Sequence, residues 1–242
     1  MSPPPLTFNA WLRYDLIQRS LEGLDVTSVV EIGTGGGAMG ARLAERYAYI
    51  GVEPDPDSFA TAQARIEGTG LGRMVRDLSD LDPGATFDLV CAFEVLEHIE
   101  HDDTALTEWC SLIRPGGWLV LSVPANADRF GAWDRRVGHY RRYDPLDMRA
   151  LLLSTGFEDP LIHMYGFPLG YVLEWSRNAI ARRSAHDASM TERTAASGRS
   201  LQLPDWLGEA PRLATAPFRV LQRPFVDGQL GTGLVARARR RR

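Results

Sequence analysis

The chain has 242 residues, 44% hydrophobic and 24% charged, with a net charge of −4, values typical of a soluble globular protein without general attraction to nucleic acid. All 27 basic residues are arginine, which excludes a lysine base, and the two cysteines, Cys91 and Cys110, favour a reducing compartment over a disulfide scaffold. The absence of a signal pattern and of a long apolar run predicts a cytoplasmic protein without stable membrane insertion.

Residues 1–25 form a proline-rich leader and a predicted helix from Phe8 to Leu21. The next stretch, Ser28-Val-Val-Glu-Ile-Gly-Thr-Gly-Gly-Gly37, is typical of a strand buried on both faces that runs into a glycine turn. A helix is predicted over 38–47. Glycines at such a turn allow a ligand to approach the backbone, and the helix N-terminus favours negative charge, so we expect a nucleotide-like ligand.

The glycine turn alone leaves two ligand classes open. Gly33, Gly35 and Ala38 match the dinucleotide fingerprint, which would imply an NAD-dependent oxidoreductase. The carboxylate of Glu31, at the strand end, suits a cationic amino acid group better than a pyrophosphate, which it would repel. Glu53 ends the next strand and suits a ribose diol, which both ligand classes contain.

Further along, a third strand from Arg73 to Arg76 is followed by Asp77, which suits a turn or a helix cap. A fourth strand is predicted from Thr86 to Phe93 and a fifth from Trp118 to Val123. The spacing His98-x-x-His101-Asp102-Asp103 superficially resembles a set of metal ligands. Acidic residues are also favoured in a first helical turn, so we predict a helix start there and no metal.

Five motifs occur in a fixed order: Val-Glu-Ile-Gly-Thr-Gly-Gly-Gly, Gly-Val-Glu-Pro-Asp, Arg-Asp-Leu, Phe-Asp-Leu-Val-Cys-Ala-Phe-Glu-Val-Leu-Glu-His and Arg-Pro-Gly-Gly-Trp-Leu-Val-Leu-Ser-Val-Pro. This order resembles the class I S-adenosylmethionine-dependent methyltransferases, especially the group around the quinone-biosynthesis C-methyltransferases, over about residues 26–166 and the last dozen. The resemblance implies an α/β fold: a Rossmann-like, doubly wound sheet of seven strands whose last strand is antiparallel beside the sixth.

The resemblance also implies S-adenosyl-L-methionine as the cofactor and assigns roles to residues. Asp77 would accept a hydrogen bond from the adenine amino group, the backbone N–H of Leu78 would meet a ring nitrogen, and Glu94 would lie near the methionine end. An N-terminal helix covers the cofactor cleft in similar enzymes, although this one could equally pack on the sheet edge. The full cofactor-binding set that we predict is Glu31, Gly33, Thr34, Gly35, Glu53, Pro54, Asp77, Leu78, Phe93 and Glu94.

The substrate side is predicted in the stretch from Trp133 to Tyr143, which follows the fifth strand, where open α/β sheets bind ligands. His139 is the first candidate for a general base, His98 the second, and Tyr143 is placed to orient the acceptor. A purely structural role, in which His139 ties the loop down, remains open. The arginines of this stretch, Arg135, Arg136, Arg141 and Arg142, are expected mostly in ion pairs on a solvated face.

Residues 167–229 are interpreted as a helical insertion between strand six, Phe157 to Tyr165, and strand seven in residues 230–242, which end in a basic tail. Such a long insertion between neighbouring strands predicts a lid that selects the acceptor. A homodimer interface and a membrane-surface contact are competing uses of the same apolar surface. The residues expected to wall the acceptor are Phe167, Leu169, Tyr171, Leu173 and Trp175.

We therefore expect a methyltransferase acting on a small-molecule acceptor, first of all at oxygen. The alternatives are an NAD-dependent oxidoreductase and a catalytically idle, cofactor-binding partner protein. The basic tail, Arg239 to Arg242, is expected to be a solvated chain end rather than a nucleic-acid arm.

Overall fold

The structure is a computed structural model that describes residues 3–183 and 204–242. One sheet has the strand order β3-β2-β1-β4-β5-β7-β6. Strands β1 to β5 are parallel, and β7 is antiparallel to both β5 and β6. The predicted Rossmann-like sheet with an antiparallel last strand beside the sixth is thus confirmed. The strands are β1 Ser28–Ile32, β2 Ala48–Val52, β3 Gly72–Val75, β4 Phe87–Phe93, β5 Ile113–Pro124, β6 Phe157–Tyr165 and β7 Gly233–Arg240.

Helices cover both faces of this sheet. The predicted helix over 38–47 is reduced to five residues, because the chain stays in turns through Met39. Part of the predicted insertion, residues 184–203, lies outside the described residues. The α-helices of the described part are α1 Phe8–Leu21, α2 Gly40–Ala44, α3 Pro56–Glu67, α4 Asp102–Ser111, α5 Ala132–Val137, α6 Pro145–Ser154, α7 Leu169–Arg183 and α8 Ala210–Gln222.

Two hydrophobic layers sandwich the sheet, as the apolar strands predict. In β1, Val30 belongs to one layer and Val29 to the other. Helix α1 packs in the second layer through side chains such as Leu12 and Ile17, which are fully buried. Each side chain of this size contributes roughly 1.5–3 kcal/mol when buried. Helix α1 is therefore fixed on one face of the sheet.

The strand order reverses between β1 and β4, so their carboxyl ends create the crevice where open α/β sheets bind ligands. At the other end of the chain, β7 continues to Arg240, so the first two arginines of the predicted tail pair with neighbouring strands. Within residues 3–183 and 204–242, no helix has the length and apolar character needed to cross a bilayer.

Candidate active site

A cleft of about 280 Å³ opens at the carboxyl ends of β1 and β4. Its walls come from the start of α1, the glycine turn after β1, the end of β4, the α5 region and α7. The volume is near the lower end of the about 300–1,000 Å³ usual for ligand pockets. The sequence-predicted residues that line it are Glu31, Gly33, Thr34, Gly35, Phe93, Glu94, His98 and His139.

The glycine turn is held against β2 and leaves one side open. The backbone N–H groups of Gly33 and Thr34 donate to the carbonyl of Val52 at 2.9 and 3.1 Å. Gly35 has a φ of +56°, a conformation that favours glycine, and a Cβ placed there would meet no atom within 4 Å. The turn therefore offers an open backbone surface to a ligand.

Two acids flank this turn. Tyr49 donates its hydroxyl hydrogen to the buried carboxyl of Glu31 at 2.6 Å, and burial raises the pKa of Glu31 to about 8. A cationic ligand group would lower that pKa again, because opposite charge favours the ionised form. Glu53 is buried and accepts hydrogen bonds from the backbone N–H groups of Gly35, at 2.7 Å, and Asp55, at 2.9 Å.

The predicted adenine-side residues lie further along the same sheet edge and do not line the cleft. Asp77 follows β3, is exposed, and accepts a hydrogen bond from the backbone N–H of Ser79 at 2.9 Å. Asp80 in turn accepts from the backbone N–H of Asp77, which completes a capping box around Leu78. The capping alternative for Asp77 is thus present in the structure, and its adenine role stays a prediction.

Glu94 lies at the end of β4 in a strained conformation with a φ of +60°, a feature that clusters at functional sites. Its Oε1 atom is 3.0 Å from Arg13 of α1 and accepts hydrogen bonds from Ser122 and Tyr165, both at 3.1 Å. Although burial opposes ionisation, Arg13 holds the pKa of Glu94 below its usual range. Helix α1 therefore also covers the cleft, through Arg13.

Opposite the glycine turn, four side chains form a buried network. His139 Nδ1 lies 2.8 Å from Asp134 Oδ1, and Arg142 donates to both oxygens of Asp134 at 2.9 and 2.8 Å. Arg142 also pairs with Glu174 of α7 at 2.9 Å. Burial raises the pKa of Asp134, but the bonds from His139 and Arg142 outweigh it and hold that pKa well below its usual range. Asp134 is therefore an ionised carboxylate that orients His139.

A second cluster touches this network. The rings of His98 and His139 meet edge to face with centroids 4.6 Å apart, and burial together with His139 lowers the pKa of His98 to about 4. Glu97 is fully buried, and neither of its oxygens has a hydrogen-bond partner in another described residue. One ligand atom from each of Glu97, His98 and His139 lies within 4.8 Å of the others, so this group could hold a divalent cation. The predicted helix start is found at Asp102, and His101 is not part of the group.

Three expectations about side chains are corrected. Tyr143 does not line the cleft: it is buried, and its hydroxyl donates to Asp102 at 2.9 Å, so it cannot orient an acceptor in this arrangement. Arg142 is not on a solvated face, because only 8% of it is exposed. The predicted aromatic wall is also wrong, since α7 presents Glu174 and Arg177 to the cleft, whereas Trp175 is 74% exposed.

Sequence reasoning missed the charged residues that complete the cleft. Asp134 lies five residues before His139, and Gly138, with a φ of +81°, reverses the chain between them. That local spacing could have indicated the pair. The contributions of Arg13, Glu174 and Arg177 come from distant helices, and no local pattern in the sequence marks them.

Comparisons with known proteins identify relatives of this chain. A sequence family described as a methyltransferase domain matches residues 8–160. An uncharacterized methyltransferase of Mycobacterium bovis is 33% identical over 129 residues, which cover 52% of this chain and 66% of the relative. A ubiquinone biosynthesis O-methyltransferase of Leptothrix cholodnii is 30% identical over 119 residues, covering 46% of this chain and 50% of that protein. The chain thus matches less than two thirds of either relative.

Among solved structures, the N-methyltransferase NodS of Bradyrhizobium japonicum, in complex with S-adenosyl-l-homocysteine, superposes with a TM-score of 0.54 at 17% identity. The superposition covers 96% of this chain and 87% of NodS, and at this identity it shows the shared fold. The open glycine turn and Glu31 line the cleft and suit the cationic amino acid part of S-adenosylmethionine, whereas Glu53 is not part of the lining and accepts a hydrogen bond from the backbone N–H of Gly35. With this domain matched over more than half of its length, the chain belongs to the family described as a methyltransferase domain.

Proposed function

We propose that this protein transfers a methyl group from S-adenosylmethionine to an oxygen atom of a small-molecule acceptor. The observation that carries the proposal is the Asp134–His139 pair, which faces the same cleft as the open glycine turn. Such a pair is the arrangement in which a carboxylate orients an imidazole as a general base. The name of the Leptothrix relative, an O-methyltransferase, supports the choice of oxygen.

In this proposal, the cofactor supplies an activated methyl group on a sulfonium, so the protein mainly has to position the acceptor and exclude water. Glu31 and the turn around Gly35 would hold the amino acid part, and Glu53 the ribose. Asp77 and Leu78 would contact the adenine, since they follow β3, the next strand on the same edge of the sheet. Phe93, Glu94, Thr34 and Pro54 complete the predicted set.

His139 acts as the base in this proposal. In the tautomer that this role requires, Nδ1–H donates to Asp134, and Nε2, which lies 3.9 Å from Oε1 of Glu97, accepts the proton of the acceptor hydroxyl. A proton on Nε2 gives an imidazolium that the ionised Asp134 stabilises. Helices α1 and α7 border the cleft and would limit the access of water to the reacting atoms.

The test combines binding and turnover. Calorimetry with S-adenosylhomocysteine should give a micromolar or lower Kd, and NAD should bind more weakly. Incubation with S-adenosylmethionine and a panel of phenols, alcohols and carboxylic acids should then yield methylated oxygen, detected by mass spectrometry. Tighter binding of NAD would favour the oxidoreductase. Binding of S-adenosylhomocysteine with no turnover on any acceptor would favour a catalytically idle, cofactor-binding partner protein. Methylation of nitrogen or carbon alone would contradict the assignment of oxygen as the methylated atom.

A further inference from the structure

The charges that line the cleft are almost all matched within the protein. Arg13 pairs with Glu94 at 3.0 Å, and Arg142 pairs with Asp134 at 2.8 Å and Glu174 at 2.9 Å. These contacts neutralise two arginines with three acids. The charged residues that line the cleft are Arg13, Arg65, Arg142 and Arg177 and the acids Glu31, Glu94, Asp134 and Glu174.

Two of the remaining charged side chains of the cleft form hydrogen bonds with other groups of the protein. Arg65 of α3 donates to the backbone carbonyl of Gly36 at 2.6 Å, which holds its guanidinium at the glycine turn. Glu31 accepts from the Tyr49 hydroxyl and is protonated over much of the neutral range, because burial raises its pKa to about 8. Neither group supplies a partner for a further cation in the cleft.

Arg177 of α7 is different. Within residues 3–183 and 204–242 it forms no ion pair, and its buried Nε has no hydrogen-bond partner. The guanidinium lies over the ring of Trp133, 5.8 Å from the ring centroid, and burial lowers the pKa of Arg177. Glu94 and Glu174 lie close enough to favour its charge, but neither forms an ion pair with Arg177, so an anionic ligand would stabilise this buried guanidinium further.

We infer that Arg177 binds a carboxylate of the methyl acceptor, so that the acceptor is a small hydroxylated organic acid. The inference rests on the proposed function, because it assigns the acceptor to this cleft. Helix α7, which carries Arg177, contacts α5 where Asn178 accepts a hydrogen bond from the backbone N–H of Trp133 at 2.9 Å. Arg177 and His139 both line the cleft, so the anion and the reacting hydroxyl would share it. A planar guanidinium suits a carboxylate because it can donate two parallel hydrogen bonds. The cofactor also has a carboxylate, and the test separates the two sources.

The experiment measures binding to the full-length protein saturated with S-adenosylhomocysteine. Matched pairs of hydroxylated aromatic and aliphatic acids and their neutral methyl esters are compared by ligand-observed NMR and calorimetry. At least one acid should bind about tenfold more tightly than its ester, since a charge-assisted hydrogen bond is worth that factor or more. Arg177→Met should remove this preference and leave the Kd of S-adenosylhomocysteine within about twofold. The matched control, Arg182→Met, changes an exposed arginine of the same helix and should keep the preference.

Arg177→Lys retains the charge and should keep part of the preference, which protects the test if the methionine variant does not fold. The inference is overturned if no acid binds better than its ester, or if Arg177→Met weakens S-adenosylhomocysteine instead of the acid. Failure of the wild-type protein to bind S-adenosylhomocysteine at all would contradict the proposed function itself. Intact cofactor binding with no acid preference would contradict only the role of Arg177.

Discussion

The two walls of the cleft, which we name the cofactor wall and the acceptor wall after the roles proposed for them, are built in different ways. The cofactor wall is local in sequence: β1, the glycine turn and β2 lie within residues 28–53, and short backbone contacts such as Gly33 to Val52 hold them together. The acceptor wall depends on side chains that are far apart in the sequence, as in the pair of Arg142 with Glu174, 32 residues away. One wall therefore depends on glycine and backbone geometry, and the other on a buried charge network.

The largest effect should come from the base in the acceptor wall. His139→Gln removes the imidazole that Asp134 orients, and kcat should fall about 10²–10⁴-fold, the usual contribution of a general base. The Kd of S-adenosylhomocysteine, measured by calorimetry, should stay unchanged, because the glycine turn is not touched. The control is His163→Gln, a histidine of β6 paired with the exposed Asp227, which should keep full activity.

Unchanged turnover in His139→Gln would reduce His139 to a residue that ties down its loop. A chelator distinguishes a third role, since Glu97, His98 and His139 could hold a cation. Activity that is lost with chelator and restored by a divalent metal would make His139 a ligand instead of the base.

The second effect concerns stability. Arg142→Leu would remove the cation that Asp134 and Glu174 share, leaving them with His139 and Arg129 as their side-chain partners, and breaking a buried pair costs about 3–5 kcal/mol. The free energy of unfolding, from urea denaturation, should fall by that amount. The neighbouring Arg141 offers a matched control: its side chain is 35% exposed and pairs with Asp102, so Arg141→Leu should cost less than about 1 kcal/mol. Equal losses in the two variants would show that the acceptor wall does not depend on the network.

The difference between the walls also explains what the sequence could predict. Strand β1 and its glycine turn carry local signals, an apolar run and glycines at positive φ, so the fold and the cofactor wall were predictable. The α7 wall was predicted wrongly, because the abundance of apolar and aromatic residues suggested that Trp175 faces the cleft. In the structure, Glu174 faces inward and pairs with Arg142, whereas Trp175 faces outward. A pairing over 32 residues has no local pattern, and Tyr143 was misplaced for the same reason, since its partner is Asp102.

The third effect tests the cofactor wall. Glu53→Ala should weaken S-adenosylhomocysteine by about 1.5–3 kcal/mol, because charge-assisted hydrogen bonds to the ribose are lost. The variant also removes the bond that Glu53 accepts from the backbone of Gly35, so the unfolding free energy must be measured alongside. Glu67→Ala, at the exposed end of α3, is the control and should bind like wild type. A Glu53→Ala variant that loses stability but keeps its affinity would show that this acid only anchors the turn.

The smallest effect on stability and activity is expected for a substitution on the outer face of α7. This substitution tests whether the exposed and buried faces of the same helix differ. Trp175 is 74% exposed and lines no part of the cleft, whereas the adjacent Glu174 is 4% exposed and paired with Arg142. Trp175→Ala should therefore change the unfolding free energy by no more than about 0.5 kcal/mol, as for surface substitutions in general. The acceptor KM and the Kd of S-adenosylhomocysteine should also stay within about twofold of wild type.

A raised acceptor KM, with stability and cofactor affinity unchanged, would instead support the predicted aromatic lid. A protein that changes from dimer to monomer in sedimentation, with unchanged kinetics, would identify this face as a homodimer interface, because a large exposed tryptophan is typical of such surfaces.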